Sequence, residues 1–390
     1  MPIVNRVADL QPDIQAWRRD LHEYPELLYD VHRTAAFVAE RLREFGCDEV
    51  ATGLGRTGVV GVIKGRKKAG QGDVRVIGLR ADMDGLPIQE ASGAAHASKI
   101  PGMMHACGHD GHTAMLLGAA RYLAETRNFA GDAVVIFQPA EEGGAGAAAM
   151  IKDGLMDRFG IDQVYGMHNG PGIPVGSFAI RSGAIMASTD DLDILIEGHG
   201  GHAARPHLGI DSVLVGAQLI TTLQSIVARS VDPLESAVIS ICEFHAGNAR
   251  NVIPQTAVLR GTVRTLNAKV RELVEKRMRE VVAGVAQMTG ARIDLTYRRN
   301  YPVLVNPAAQ TELAAEVARD VAGSAHVHEM PPLMGAEDFA YMLQARPGAF
   351  IFCGNGDSAG LHHPAYDFND EAIVFGTSYW IKLVENTLAA

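Results

Sequence analysis

Three short runs rich in β-branched residues each lead into side chains that bind metals or move protons. VRVIGLRAD (74–82) leads into Asp82 and Asp84, AVVIFQP (133–139) into Glu141 and Glu142, and QVYGMHN (163–169) into His168. With VVGVIKG (59–65), they read as strands bounded by Gly or turn residues. Helical stretches alternate with them, which predicts an α/β fold: a mostly parallel sheet with helices on both faces. Ligands in such sheets gather beyond the carboxyl ends of the strands, so these ends are functional addresses. Turn-forming aspartates at 82 and 84, and a plain surface loop at QPAEE, are the alternative readings of the segments taken singly.

Helical periodicity covers 11–46, with a turn at YPE (24–26) and a stop at Gly46, and returns over 112–127. After residue 187 the pattern restarts. DLDILIEG (191–198) alternates as a half-buried strand does; helix (212–229), strands (236–244 and 256–266), helix (267–288) and strand (291–299) follow. That βαββαβ order is ferredoxin-like. A chain of 390 residues exceeds the usual ~100–200 per domain. The expectation is a catalytic domain made of 1–187 and 300–390, with 188–299 inserted as a lid or dimerisation domain.

A formal net charge of −10, without a basic block, argues against nucleic acid or an anionic membrane as partner. No apolar run approaches the ~20 residues that span a bilayer. The first residues lack the apolar core and cleavage site of a signal peptide, and the four cysteines (47, 107, 242 and 353) are scattered singly. Cytoplasmic residence is the expectation.

Many of the 15 histidines cluster in Gly-rich segments beside other ligand-type residues. In MHACGHDGHTA (104–114), Cys107 and His109 flank a glycine that lets both point at one ion, just before a helix expected to begin near 111. A buried cysteine among capping residues is the plain alternative, and His105 and His112 stay open between ligand and supporting donor. Adjacent carboxylates on extended chain point apart, so one of Glu141 and Glu142 can hold a metal while the other faces substrate as general base. GLHHPAYDFND (360–370) adds His362 and His363. Cys107, His109, Glu142, His168 and His362 together form an N/O/S ligand set for two divalent ions, of the kind that sits ~3.5–4 Å apart and activates water. Cys107 is then expected to be a thiolate in the metal-loaded protein and a reactive thiol without metal.

The segments RADMDGLP, MHACGHDGH, QPAEEGG, MHNGP, GGHAARP, NVIP, GAEDF and LHHPAYDFND, in this order, resemble the hippurate hydrolase and auxin-conjugate hydrolase branch of the aminoacylase/carboxypeptidase family of di-metal peptidases. The similarity runs from HEYPEL (22–27) to DFND (367–370). It implies an enzyme that cleaves the amide bond of small N-acyl amino acids, hippurate-like or N-acetylated, to a carboxylate and a free amino acid. Two divalent ions per subunit are implied, held by the five ligands above, with Glu141 as general base and Asp84 as a supporting carboxylate. The wider family opens on His-x-Asp, whereas here Asp82-Met83-Asp84 stands and Cys107 completes the coordination. Thiolate and imidazole suit zinc, and related sites take manganese, cobalt or nickel.

A dipeptidase or carboxypeptidase on the same scaffold is the alternative enzyme. A non-catalytic metal-binding assembly protein has no use for Glu141, and a nucleotide-binding fold lacks its GxGxxG at the first strand–helix turn. In the inserted domain, GHGGHAARP (198–206) places His202 in a Gly-rich turn, and NARNVIP (248–254) offers Asn248, Arg250 and Asn251 as donors for an oxyanion or a substrate carboxylate. The resemblance further implies a homodimer in which His202 reaches the neighbouring subunit's active site.

Overall fold

The computed structural model describes residues 4–68 and 75–389; Val74, first residue of the strand expected at 74–82, lies outside them. The chain opens with α1 (Asn5–Glu23) and α2 (His32–Glu44). They part at Pro25, whose ring disfavours helical backbone at Tyr24. Gly46 takes φ +81° just beyond α2. Next come β1 (Glu49–Leu54), β2 (Gly58–Lys64), β3 (Val76–Asp82), α3 (His109–Thr126), β4 (Asp132–Gln138), α4 (Gly146–Lys152), α5 (Leu155–Arg158), β5 (Gln163–Pro171), β6 (Phe178–Ile180) and β7 (Gly183–Met186). The middle of the chain holds β8 (Ser188–Glu197), β9 (Gly201–His202), α6 (Ser212–Arg229), β10 (Ala237–Ala246), β11 (Val252–Ile253), β12 (Thr256–Thr265), α7 (Ala268–Thr289) and β13 (Arg292–Arg299). It ends with β14 (Leu304–Asn306), α8 (Ala308–Ala322), β15 (Val327–Glu329), α9 (Phe339–Ala345), β16 (Gly348–Gly356) and α10 (Ile373–Thr387).

Two compact units result. The first takes Met1–Gly183, Val305–Pro331 and Asp338–Ala390; the second takes Ala184–Leu304 with Pro332–Glu337. In the first, the described strands form a sheet in the order β1-β2-β4-β3-β5-β16-β6-β15. Its centre, β4-β3-β5-β16, is parallel, and β1 and β2 add an antiparallel edge. Ile77, Leu79 and Ala81 of β3 join Val135 and Phe137 of β4 in a core shared with α1, α2, α3, α8 and α10. The alternate residues are buried on the other face, where Gly78 meets Ile161 and Phe350 stacks on Phe339 of α9 at 5.5 Å. With both faces covered, these strands read as unbroken apolar runs.

The second unit contains a fully antiparallel sheet, β10-β12-β8-β13, in ferredoxin-like order. Leu192, Ile194 and Ile196 pack with Leu219 and Leu223 of α6 and Val274 and Met278 of α7. Both helices are capped from the sequence: Asp211 accepts from the amides of Val213 and Leu214, and Asn267 from that of Lys269.

One buried charge positions the site. Arg18 of α1, with no exposed side-chain surface, lies 2.8 Å from Asp110 on the first turn of α3 and donates to Asp367 in the 360–370 loop. His22, one turn on, also meets Asp110 at 2.8 Å. Removing one partner of a buried pair leaves the other uncompensated, at a cost of roughly 3–5 kcal/mol. Arg18→Ala is expected to destabilise the protein by that amount, read from the urea midpoint at unchanged slope. A loss under about 1 kcal/mol would show that the carboxylates find water instead.

Candidate metal centre

The turn between Cys107 and His109 depends on Gly108. Its φ is +87°, and a Cβ there would stand 2.4 Å from Asn169 Nδ2 and 2.5 Å from the Tyr366 hydroxyl. The chain passes directly from this turn into α3, which begins at His109 rather than near 111 as expected: left-handed Gly108 serves as N-cap without any side-chain cap. Cys107 and His109 thus project from the mouth of a helix into a pocket at the ends of β3, β4 and β5.

Two triads of candidate ligands lie in this pocket, each with its donor atoms within 4.8 Å of one another: Cys107, His109 and His168, and Cys107, Glu142 and His362. Cys107 belongs to both. Its Sγ is 3.3 Å from His168 Nε2, and His362 Nε2 is 3.2 Å from Glu142 Oε1. Ligands ~2.0–2.3 Å from a tetrahedral ion stand ~3.3–3.8 Å apart, so these spacings fit a shared ion. His109 Nε2 is buried without a hydrogen-bond partner. Buried polar atoms are normally paired, and an unpaired imidazole nitrogen among carboxylates and a thiol suits a cation site.

His109 and His168 each commit their other ring nitrogen to the backbone. His109 Nδ1 donates to the carbonyl of Asp84 at 2.8 Å, and His168 Nδ1 to that of Asn169 at 2.7 Å. Both bonds fix the tautomer that turns Nε2 into the pocket. His362 has φ +65°, a strained conformation for a non-glycine residue, and its amide donates to Ala106 O at 2.8 Å, tying its loop to the Cys107 turn.

Asp84 accepts from the amides of Glu141 and Glu142 at 3.0 and 3.1 Å, so its carboxylate shapes the turn that presents both glutamates. Glu141 lies with His109 and Glu142 in a third cluster of close donor atoms. Asp82, treated in the sequence only as a carboxylate at a strand end, is held at 2.7 Å by Arg80 and at 2.6 Å by His112. His112 has both nitrogens engaged, since Nε2 accepts from the amide of Asn169 at 2.8 Å; it supports the site and leaves no lone pair for an ion. His105 is buried with neither nitrogen paired and lies outside both triads. His363 accepts from the amide of Ala365.

The electrostatics favour added cations. Burial, then Glu142, Glu141 and Asp82, push the Cys107 thiol well above its ordinary pKa. That direction opposes the reactive thiol expected of the metal-free protein. Burial opposes charge on His109, but Asp82, Asp84 and Glu142 outweigh it and push the imidazole up to about 10. A divalent ion bound by Cys107, His109 and His168 would invert this order, favouring a thiolate and neutral imidazoles.

The second unit brings together the two turns noted in the sequence. His202 on β9 pairs with Val252 on β11, and the amide of Ala203 donates to Asn251 O at 3.1 Å. His202, Asn248, Arg250 and Asn251 are all exposed. Asn248 lines an open cleft of about 520 Å³ with Gly200, Gly201 and Gly247.

Sequence and fold comparisons agree with this geometry. The model of peptidase family M20/M25/M40 matches residues 78–386. The chain is 42% identical to hippurate hydrolase of Campylobacter jejuni over 387 residues, covering 98% of each. It is 41% identical to N-acetyl-L-cysteine deacetylase of Bacillus subtilis over 369 residues, covering 94% of this chain and 86% of that one. The crystal structure of a dinuclear metal-binding peptidase from family M20 of Bacillus subtilis superposes with a TM-score of 0.84 at 34% identity, over 98% of this chain and 99% of that one. The chain belongs to peptidase family M20/M25/M40.

Proposed function

We propose that the protein is a metal-dependent amidohydrolase that cleaves N-acyl amino acids, hippurate-like or N-acetylated, into a carboxylate and a free amino acid. The observation that carries this reading is the pair of ligand triads sharing Cys107, with a second glutamate beside them. Full-length similarity to a hippurate hydrolase supports the substrate class. Cys107, His109, Glu142, His168 and His362 would hold two divalent ions. Zinc suits the thiolate and imidazole donors, with manganese, cobalt or nickel as alternatives. Bound ions of this kind acidify water and polarise a carbonyl.

Glu141 takes the proton from the attacking water and delivers it to the departing nitrogen, because an amide anion is too basic to leave unprotonated. Asp84 keeps Glu141 and Glu142 on one rigid turn. Four unpaired cysteines fit a reducing cytoplasm. A homodimer formed through the second unit is supported by its sheet edges. β13 carries Arg292, Arg298 and Arg299, which discourage pairing, whereas the β10 edge exposes Val238 and Phe244. In that dimer His202 would stabilise the oxyanion of the neighbouring site, and Asn248, Arg250 and Asn251 would bind the substrate carboxylate.

A panel of hippurate, N-acetyl amino acids and dipeptides tests the reading on zinc- or manganese-reconstituted protein. N-acyl amino acids are expected to give the highest kcat/KM, with activity lost on chelation and restored by metal. Preference for dipeptides would make the protein a peptidase.

Glu141→Gln is expected to bind metal normally and to lose at least ~10²–10⁴ in kcat. Metal content and turnover measured on one preparation decide it; near-normal turnover removes the general-base role.

Mixing Glu141→Gln with His202→Ala after dissociation and reassociation examines the role in trans. A hybrid dimer then has one site with both defects and one with neither, so activity should partly return. With each variant inactive alone, failure to recover activity despite proven subunit exchange would remove the trans role.

A further inference from the structure

Three ligand-bearing segments meet at one side chain that is not itself a ligand. Asn169 follows His168 at the end of β5 and is fully buried. Its Nδ2 donates to the carbonyl of Cys107 at 2.6 Å. Its Oδ1 accepts from the hydroxyl of Tyr366 at 2.9 Å, four residues beyond His362. Its backbone amide donates to His112 Nε2, the ring held on its other side by Asp82. Its own carbonyl takes the Nδ1 proton of His168. The Cys107 turn, the end of β5 and the 360–366 loop are far apart in sequence, and each meets Asn169 through a separate hydrogen-bonding atom.

We infer that Asn169 is the positioning residue that sets the two ligand triads in register by bonding Cys107, the ligand they share, and the loop of His362 at once. This rests on the di-metal amidohydrolase reading above. A carboxamide is required because one side must donate and the other accept within a single short side chain. An aspartate would turn an oxygen toward the Cys107 carbonyl. Asn169 Nδ2 and the Tyr366 hydroxyl occupy the space that a Cβ at position 108 would need, which leaves glycine at that turn. Residues that orient metal ligands typically contribute ~10–100-fold in metal affinity when removed.

The test measures zinc affinity by competition with a chromophoric chelator, and the thiolate-to-metal charge-transfer absorption of the cobalt-loaded protein. In Asn169→Ala, affinity for both ions should fall ~10–100-fold and the thiolate band should shift or weaken, since Cys107 serves both triads. In Tyr366→Phe, only the ion of the Glu142–His362 triad should weaken while the other keeps its affinity. A role confined to packing would lower thermal stability and leave affinities and spectrum unmoved. Wild-type affinities and an unchanged band in folded Asn169→Ala overturn the inference. If that variant does not fold, unchanged affinity for both ions in Tyr366→Phe overturns it instead. Wild-type protein that takes up two ions and cleaves N-acyl amino acids, with indifferent variants, sinks only the positioning role. Wild-type protein that takes up fewer than two ions sinks the di-metal reading and this inference with it.

Discussion

The bond from His109 Nδ1 to the carbonyl of Asp84 joins the two halves of the site, and much of the first unit is arranged around it. Asp84 follows the end of β3, and His109 is the first residue of α3. One 2.8 Å contact therefore fixes a helix start against a strand end, selects the imidazole tautomer and aims Nε2 into the pocket. The carboxylate of the same Asp84 gathers the amides of Glu141 and Glu142. Moving this residue by an ångström would displace both glutamates and a histidine together.

Buried carboxylates are costly unless compensated, and the protein compensates some of them itself. Asp82 has Arg80 and His112; Asp110 has Arg18 and His22. Both pairings lie next to the pocket and outside the ligand set, so they hold the framework charged and rigid whatever the pocket contains. The ligands are treated differently. Burial and the neighbouring carboxylates oppose ionisation of Cys107, and Glu142 lies beside that thiol, His109 and His362. Negative potential is concentrated where two divalent cations would relieve it, and balanced by arginine a few ångströms away.

What could be read from the chain follows from the range of the interaction. The parallel strands β3, β4 and β5 and both helices of the second unit were legible because burial on one or two faces leaves a local pattern; α6 occupies the very residues, 212–229, that its periodicity marked. The candidate ligands were legible because each ends an apolar run or flanks a glycine. β1 was not, since EVATGL has no continuous β-branched run, and β16 was not, because a short apolar segment does not separate strand from helix by period. Asn169, Tyr366 and Arg18 were invisible for another reason. Their partners lie 62, 197 and 349 residues away, and no local pattern marks an asparagine or an arginine for such a pairing.

The topology of the second unit explains how it can interrupt the chain between β6 and β14. Its first long strand, β8, and its last, β13, are antiparallel neighbours, with Asp190 opposite Arg299. Entry and exit therefore lie side by side, and the amides of Thr189 and Asn300 extend the pairing by bonding to Tyr301 O and Thr189 O, each at 3.0 Å. Arg271 of α7 closes this end: it donates to Asp190 and, at 3.1 Å, to the carbonyl of Asn300, so one guanidinium ties the start of β8 to the residue after β13. Tyr297 completes the cluster with a 2.5 Å bond to Asp190. A βαββαβ module whose first and last long strands are paired inside its own fold therefore returns the chain close to where it entered.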